Sequence, residues 1–272
     1  MPKAGINGIE IHYRDNGEGF PLLLIHGFTG NLRNWVLQAS VLTRGFRMVS
    51  LDLRGHGHSE KPTQPQDYSL ELMAEDVYGL LQHLAIDGCY LIGHSMGGMV
   101  AQHLALAHPE PVRALVLVDT AAEVTSTMRT QDGARLVEIA RDQGMEAVFE
   151  EQLRINPMAD QIRGQPQLLG LWRQQFLLTS REAYIYCARA IVRRKPLLDK
   201  LHAIEAPTLI ICGENDDPMV EASRRMHERI AGSELVIIHG AGHTPQIERA
   251  PEFNRVLSAF IARVHEGVAA GG

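Results

Sequence analysis

The chain has 272 residues, 45% of them hydrophobic and 21% charged, an ordinary composition for one globular domain with room for a large insertion. Its formal net charge of -6 excludes a basic footprint for nucleic acid or an anionic membrane surface, so small molecules are the expected partners. Three widely spaced cysteines, Cys89, Cys187 and Cys212, make neither a disulfide framework nor a metal knuckle; with no apolar leader at Met1–Gly5 and no apolar run of about 18 residues, a cytoplasmic protein without a membrane span is expected.

In chain order, Asn7-Gly8 separates two short β-type segments, Ile9 to Tyr13 alternates, and Asn16-Gly17 follows, which predicts an N-terminal antiparallel hairpin and turn. Short apolar runs bounded by turn residues then recur at Leu22 to Ile25, Met48 to Leu51, Cys89 to Ile92, Ala114 to Val118, Thr208 to Cys212 and Leu235 to Ile238. Runs this brief and this apolar suit strands buried on both faces of a parallel sheet, with the helical stretches between them as crossovers. The architecture is α/β.

Ala122 to about Ala206 breaks that rhythm. It holds no strand-like run and is rich in helix formers, with stops near Gly144, Pro157, Gly164, Pro166 and Pro196, so it reads as a helical insertion. The chain thus divides into a first core part at 1–121, the insertion at 122–206 and a second core part at 207–272. Phe149, Met158, Leu169, Trp172, Phe176 and Leu177 of the insertion either line a pocket over the sheet or form the insertion's own small core. The tail Gly267 to Gly272 is expected to be frayed.

The strongest chemical signal is Gly93-His94-Ser95-Met96-Gly97-Gly98, directly after a strand and before a helical stretch that ends at His108-Pro109. G-x-S-x-G in that context is a nucleophile elbow: a strained turn lifts Ser95 Oγ at the sheet edge beside a helix N-terminus, and glycines keep neighbouring backbone from colliding. A serine hydroxyl needs a base, and among thirteen histidines His243 is the best placed, in the loop Gly240-Ala241-Gly242-His243 after a strand. His94 and His103 read as packing or surface residues. A carboxylate must fix the base's tautomer, and Asp216, in Gly213-Glu214-Asn215-Asp216-Asp217-Pro218, gives the order serine, acid, histidine; Asp217 and Asp119 are its rivals.

Two donors are needed for an oxyanion, and the backbone N–H groups of Met96 and Phe28 are the candidates. His26 reads as a structural loop residue. Asp52-Leu53-Arg54-Gly55-His56-Gly57-His58-Ser59 lacks metal-site spacing and reads as a hydrogen-bonded loop bracing the site; Arg193-Arg194-Lys195 reads as a solvated face. No metal or organic cofactor is implied.

Taken together, His26-Gly27-Phe28, the Asp52 to Ser59 segment, the Ser95 elbow, Gly213 to Asp216 and Gly240 to His243 resemble the α/β-hydrolase superfamily over nearly the whole chain outside the insertion. The resemblance implies the α/β-hydrolase fold, an eight-stranded, mostly parallel sheet flanked by helices, with a helical cap after the sixth strand. Haloalkane dehalogenases and epoxide hydrolases of this fold carry aspartate where this chain has Ser95. Meta-cleavage carbon-carbon hydrolases carry a longer glycine-rich oxyanion loop and a tryptophan after the catalytic histidine, where this chain has Phe28-Thr29-Gly30 and Thr244. Leu32 to Trp35 and Val118 to Ala122 are similar to enol-lactonases and small carboxylesterases, including lactonases of acyl-homoserine lactones. The expected activity is hydrolysis of a small ester or lactone through an acyl-enzyme; a carbon-carbon hydrolase with the same triad, or a small-ligand sensor, are the alternatives.

Overall fold

The computed structural model describes residues 2–124, 131–155 and 166–270. Each apolar run becomes a strand: β3 (Phe20–Ile25), β4 (Phe46–Leu51), β5 (Cys89–His94), β6 (Val112–Val118), β7 (Thr208–Gly213) and β8 (Glu234–Ile238). Before them, β1 (Lys3–Ile6) and β2 (Ile9–Asn16) form the antiparallel hairpin. Its two-residue turn places Asn7 at φ 47° and Gly8 at φ 79°, the left-handed pair that matches the twist of the strands. The eight strands join in one sheet of order β1-β2-β4-β3-β5-β6-β7-β8. β2 runs antiparallel to β4, and every pairing from there to β8 is parallel.

For β3 to β7 the continuous apolar runs follow from burial on both faces, whereas β8, at the edge of the sheet, leaves Ile237 exposed and departs from the two-sided burial expected of its run. On one side Leu22, Leu24, Tyr90, Ile92, Val116 and Val118 pack with Trp35, Phe253, Leu257 and Phe260. On the other, the alternate residues Leu23, Ile25, Val49, Leu91, Leu115 and Leu117 pack with Leu70, Met73, Val77, Val100 and Leu104. Each such burial is worth roughly 1.5 to 3 kcal/mol relative to exposure, so neither face tolerates the alternation of a half-wet sheet.

The covering helices are α1 (Val36–Leu42), α2 (Leu70–His83) and α3 (Met96–Ala107), then, beyond the insertion, α8 (Asp217–Arg229), the short α9 (Pro245–Glu248) and α10 (Ala250–Ala270). The Ser69 hydroxyl caps α2 by accepting from Leu72 N–H at 3.0 Å. α10 runs past Gly267 to Ala270, where the sequence suggests a frayed tail; one glycine costs only about 1 kcal/mol and Val268-Ala269-Ala270 supply no stop. Residues 271 and 272 lie outside the described residues. Among the described residues no helix is long and apolar enough to cross a membrane, and all three cysteines are free and buried.

Between β6 and β7 the described residues are helical: α4 (Gln131–Gln143), α5 (Met145–Ile155), α6 (Pro166–Phe176) and α7 (Arg181–Arg193), followed by a 3-10 turn at Leu198–Ala203. Gly144, at φ 87°, makes the corner between α4 and α5, and Pro166 opens α6. Leu136, Ala140, Val148, Phe149, Phe176 and Tyr184 form a small core here, with Leu169, Trp172 and Leu177 packed against it. Met158, Pro157 and Gly164 lie outside the described residues.

Candidate active site

β5 ends at His94 and α3 begins at Met96, so the chain must turn at Ser95 alone. It does so at φ 52°, ψ -117°, a conformation that costs a non-glycine residue about 1 to 3 kcal/mol. The turn is possible because its flanks carry no side chain: a Cβ on Gly93 would lie 2.4 Å from Gly97 O, and one on Gly97 would lie 2.4 Å from Ile25 O. Ser95 N–H donates to Val118 O at 2.8 Å, and the Thr120 hydroxyl donates to Ser95 O at 2.7 Å. The strain is thus held from the neighbouring strand β6.

His243 arrives from β8 on a loop tied down on three sides. Gly240 N–H donates to the Glu214 carboxylate at 3.0 Å, and Gly242 N–H and Thr244 N–H donate to Glu248 at 2.7 and 2.9 Å. His94 Nε2 donates to the carbonyl of His243 itself at 2.7 Å. So held, His243 Nε2 sits 2.9 Å from Ser95 Oγ while its Nδ1 sits 2.5 Å from Asp216 Oδ2. The three expected side chains therefore form one chain of hydrogen bonds, Ser95 O–H to Nε2 and Nδ1–H to carboxylate. Asp217, next in sequence, is exposed at the start of α8.

The electrostatics of the histidines separate their roles. Burial works to lower the His243 pKa, but the hydrogen bond and charge of Asp216, with the charges of Asp119 and Glu248, outweigh it and raise the pKa above the ordinary histidine value. His94 is the reverse case, pushed down to about 3 by burial and by the neighbouring His243. His26 is also lowered, mainly by burial; its Nδ1 donates to Gly27 O at 2.7 Å and its Nε2 accepts from Leu53 N–H at 3.0 Å. His26 is thus a neutral brace for the Gly27-Phe28 turn.

The Asp52 to Ser59 loop supports that brace. Asp52 accepts from Leu32 N–H at 2.7 Å and from His58 N–H at 2.8 Å, and pairs with His12 Nδ1 at 2.7 Å. In Arg193-Arg194-Lys195, expected as a solvated face, Arg193 and Lys195 are exposed and Arg194 alone departs. Arg194 is half-buried and donates to Ile191 O at 2.6 Å and to Glu123 O, tying the end of α7 back to the segment after β6.

A cavity of about 610 Å³ opens over Ser95 and His243, floored by Gly27 and Phe28 and walled by Leu171, Trp172, Phe176 and Tyr184 from the insertion. Trp172 and Phe176 therefore serve both the insertion's core and the cavity wall, while Phe149 is buried in that core alone. Among the described lining residues Arg33 carries the one permanent charge, and the rest are apolar or neutral polar. Phe28 N–H and Met96 N–H, the latter at the first residue of α3, donate to no group among the described residues. The Met96 amide, at a helix N-terminus directly after Ser95, and the Phe28 amide, which follows the Gly27 that lies against Ser95, suit a developing negative oxygen.

Among the described residues, Asp119, Asp216 and His243 form the one group of side chains with spacing for a metal ion, their ligand atoms lying within 4.8 Å of one another. An ion there would have to displace the 2.5 Å bond between His243 and Asp216. Glu248 and Glu214, which fix the His243 loop, escape a motif search. The available signal is Thr244-Pro245 opening a helix with a carboxylate four residues on, a helix-start pattern rather than a catalytic one.

Comparison with known proteins agrees with this fold. A family described as alpha/beta hydrolase fold matches residues 21–138. The enol-lactonase from Burkholderia xenovorans LB400 superposes with TM-score 0.87 at 32% identity, covering 96% of this chain and 100% of that one. A thermophilic esterase from Thermogutta terrifontis superposes with TM-score 0.85 at 30% identity, covering 97% and 98%. In sequence, 2-hydroxymuconate semialdehyde hydrolase of Pseudomonas sp. strain CF600 is 29% identical, over 94% of this chain and 91% of its own length. With the eight-stranded topology, the serine elbow and similarity along almost its full length, the chain belongs to the alpha/beta hydrolase fold family, in the branch of carboxylesterase-like and enol-lactonase-like hydrolases.

Proposed function

We propose that this hydrolase cleaves carboxylic ester or lactone bonds of small molecules through an acyl-enzyme on Ser95. The observation that carries the reading is the unbroken chain Ser95 Oγ, His243, Asp216 opening onto a largely apolar cavity beside two uncommitted amides. Ser95 gives its proton to His243 Nε2 as Oγ attacks the carbonyl carbon, and the oxyanion is taken by the N–H groups of Met96 and Phe28. Asp216 holds the Nδ1 proton and balances the imidazolium. His243 then protonates the leaving alkoxide, which in a lactone stays tethered to the acyl group. A water activated by the same nitrogen releases the acid and restores Ser95.

The cap formed by the helical insertion supplies apolar walls suited to the hydrocarbon part of the substrate, and the enol-lactonase and esterase relatives support this class. The free, buried thiols fit a reducing compartment such as the cytoplasm. The experiment is a panel of p-nitrophenyl acetate and butyrate, an enol-lactone and acyl-homoserine lactones, with mass analysis of Ser95 after a phosphonate inhibitor. Repeated turnover with the label on Ser95 is expected. Turnover of a vinylogous diketone alone would favour carbon-carbon cleavage, a reading that the semialdehyde hydrolase relative keeps in view, and a single burst followed by a stable complex would favour a sensor.

A further inference from the structure

Asp119 has no part in the steps above, yet it is the more unusual of the two aspartates that act on His243. It follows β6 at φ 40°, a left-handed backbone on a non-glycine residue, and it is fully buried. Its Oδ1 accepts from Gly213 N–H at 3.0 Å and from the Cys212 thiol at 3.3 Å, while Oδ2 has no hydrogen-bond partner among the described residues. One oxygen of Asp119, one of Asp216 and a ring nitrogen of His243 lie within 4.8 Å of one another. An acid kept only to pin Gly213 would need one acceptor; leaving a second carboxylate oxygen buried and unbonded costs stability that an asparagine or a smaller residue would avoid.

We propose that Asp119 is a second carboxylate of the triad: a positioning residue whose charge helps hold the His243 imidazolium, and which takes over the orientation of His243 when Asp216 is removed. This rests on the hydrolase reading of Ser95 and His243. Burial pushes the Asp119 pKa up to about 7, against the His243 charge and the Gly213 hydrogen bond, with Asp216 adding to the rise. The groups that face this pair are Asp216 and Cys212 from β7 and its following loop; facing the ring are Glu248 from α9 and His94 from β5.

The test compares Asp119→Asn, Asp216→Asn and the double variant, and follows the His243 ring by NMR titration in a Ser95→Ala background. Asp119→Asn should lower the His243 pKa by on the order of half a unit and move the acid limb of kcat/KM with it, because a nearby negative charge is gone. Asp216→Asn should lose on the order of 10²-fold in kcat, and the double variant on the order of 10⁴-fold, the loss expected when no acid orients the base. A residue that only pins β6 to β7 would change the melting temperature and leave the titration in place. An unmoved His243 titration, or an Asp119→Asn effect that is the same with and without Asp216, overturns the proposal. Should Asp119→Asn not fold, Asp119→Ser, which keeps an acceptor for Gly213 N–H, makes the same comparison. Undiminished turnover by Ser95→Ala would instead sink the hydrolase reading itself, a separate outcome.

Discussion

His94 Nε2 donates a 2.7 Å hydrogen bond to the backbone carbonyl of His243, so the residue immediately before the elbow serine anchors the loop that carries His243. Burial keeps His94 neutral, with its pKa down at about 3, and the bond fixes its tautomer with the proton on Nε2. His94→Phe keeps most of the ring volume and removes the donor. A base displaced by about 1 Å can cost on the order of 10² in rate, so kcat should fall by that order while the melting temperature moves far less. Wild-type kcat in a folded His94→Phe variant would show that the Glu248 and Glu214 clamps hold the loop unaided.

Ser95→Ala should abolish ester hydrolysis by on the order of 10⁴-fold or more, since members of a triad act as a unit. The fold should survive, because one oxygen is lost and the strained turn is held by Gly93, Gly97 and the Val118 carbonyl rather than by Oγ. Relief of strain is not expected either, as alanine shares serine's aversion to φ 52°. Steady-state rates on p-nitrophenyl butyrate, with circular dichroism, check both halves.

In the proposed mechanism hydrolysis needs His243 neutral in the free enzyme, and the His243 pKa is raised above the ordinary 6.5. The sign follows directly: the ring stays charged, and the base stays blocked, to a higher pH than for a free histidine. The acid limb of kcat/KM should thus have its midpoint above 6.5, and Asp216→Asn should move it downward as the partner charge is lost. Incubation with EDTA should leave the rate unchanged. A profile flat from about pH 5 to 9, or EDTA inhibition reversed by zinc, would contradict this mechanism.

The parts of this molecule that can be read without coordinates are those where sterics leave few choices. Strands β3 to β7 are continuous apolar runs because alternate side chains enter two separate cores, and Ser95 is conspicuous because only glycine fits at Gly93 and Gly97. Asp216 and His243 are found through their order and their place after strands. What escapes depends on tertiary register. Asp119 is legible only as a rival acid at the end of a strand; that it stands near His243 together with Asp216 depends on β6 and β7 pairing with Val118 opposite Ile211, a match no local pattern encodes. Glu248 and Glu214 act on backbone amides, which leave no side-chain signature, and Arg194 reads as a solvated charge until the end of α7 is seen to fold back on Glu123.

Behind the loop that braces His26, Arg54 and Asp76 form a buried bidentate pair, with Arg54 Nε and Nη2 donating to the Asp76 oxygens at 2.6 and 2.7 Å. Their side chains are 3% and 0% exposed. Asn7 Nδ2 donates a further bond to Asp76 at 3.1 Å, and Arg54 Nη1 donates to Asp67 O at 2.8 Å. Such a pair contributes little net stability as a pair, but removing one partner strands a buried charge and costs about 3 to 5 kcal/mol. Arg54→Met should therefore unfold several degrees lower than Arg54→Met combined with Asp76→Leu. The pH dependence gives a second signature. Burial already raises the Asp76 pKa even with Arg54 beside it, so without the guanidinium the folded state should hold the proton still more strongly than the unfolded chain. An acid whose folded pKa is raised loses stability as pH climbs from the unfolded value toward the folded one. The deficit of Arg54→Met should then shrink as pH falls from about 7.5 to 5, through protonation of Asp76. Thermal melts of the two variants across that range decide it, and a pH-independent deficit would mean that Asp76 has found another partner or is no longer buried.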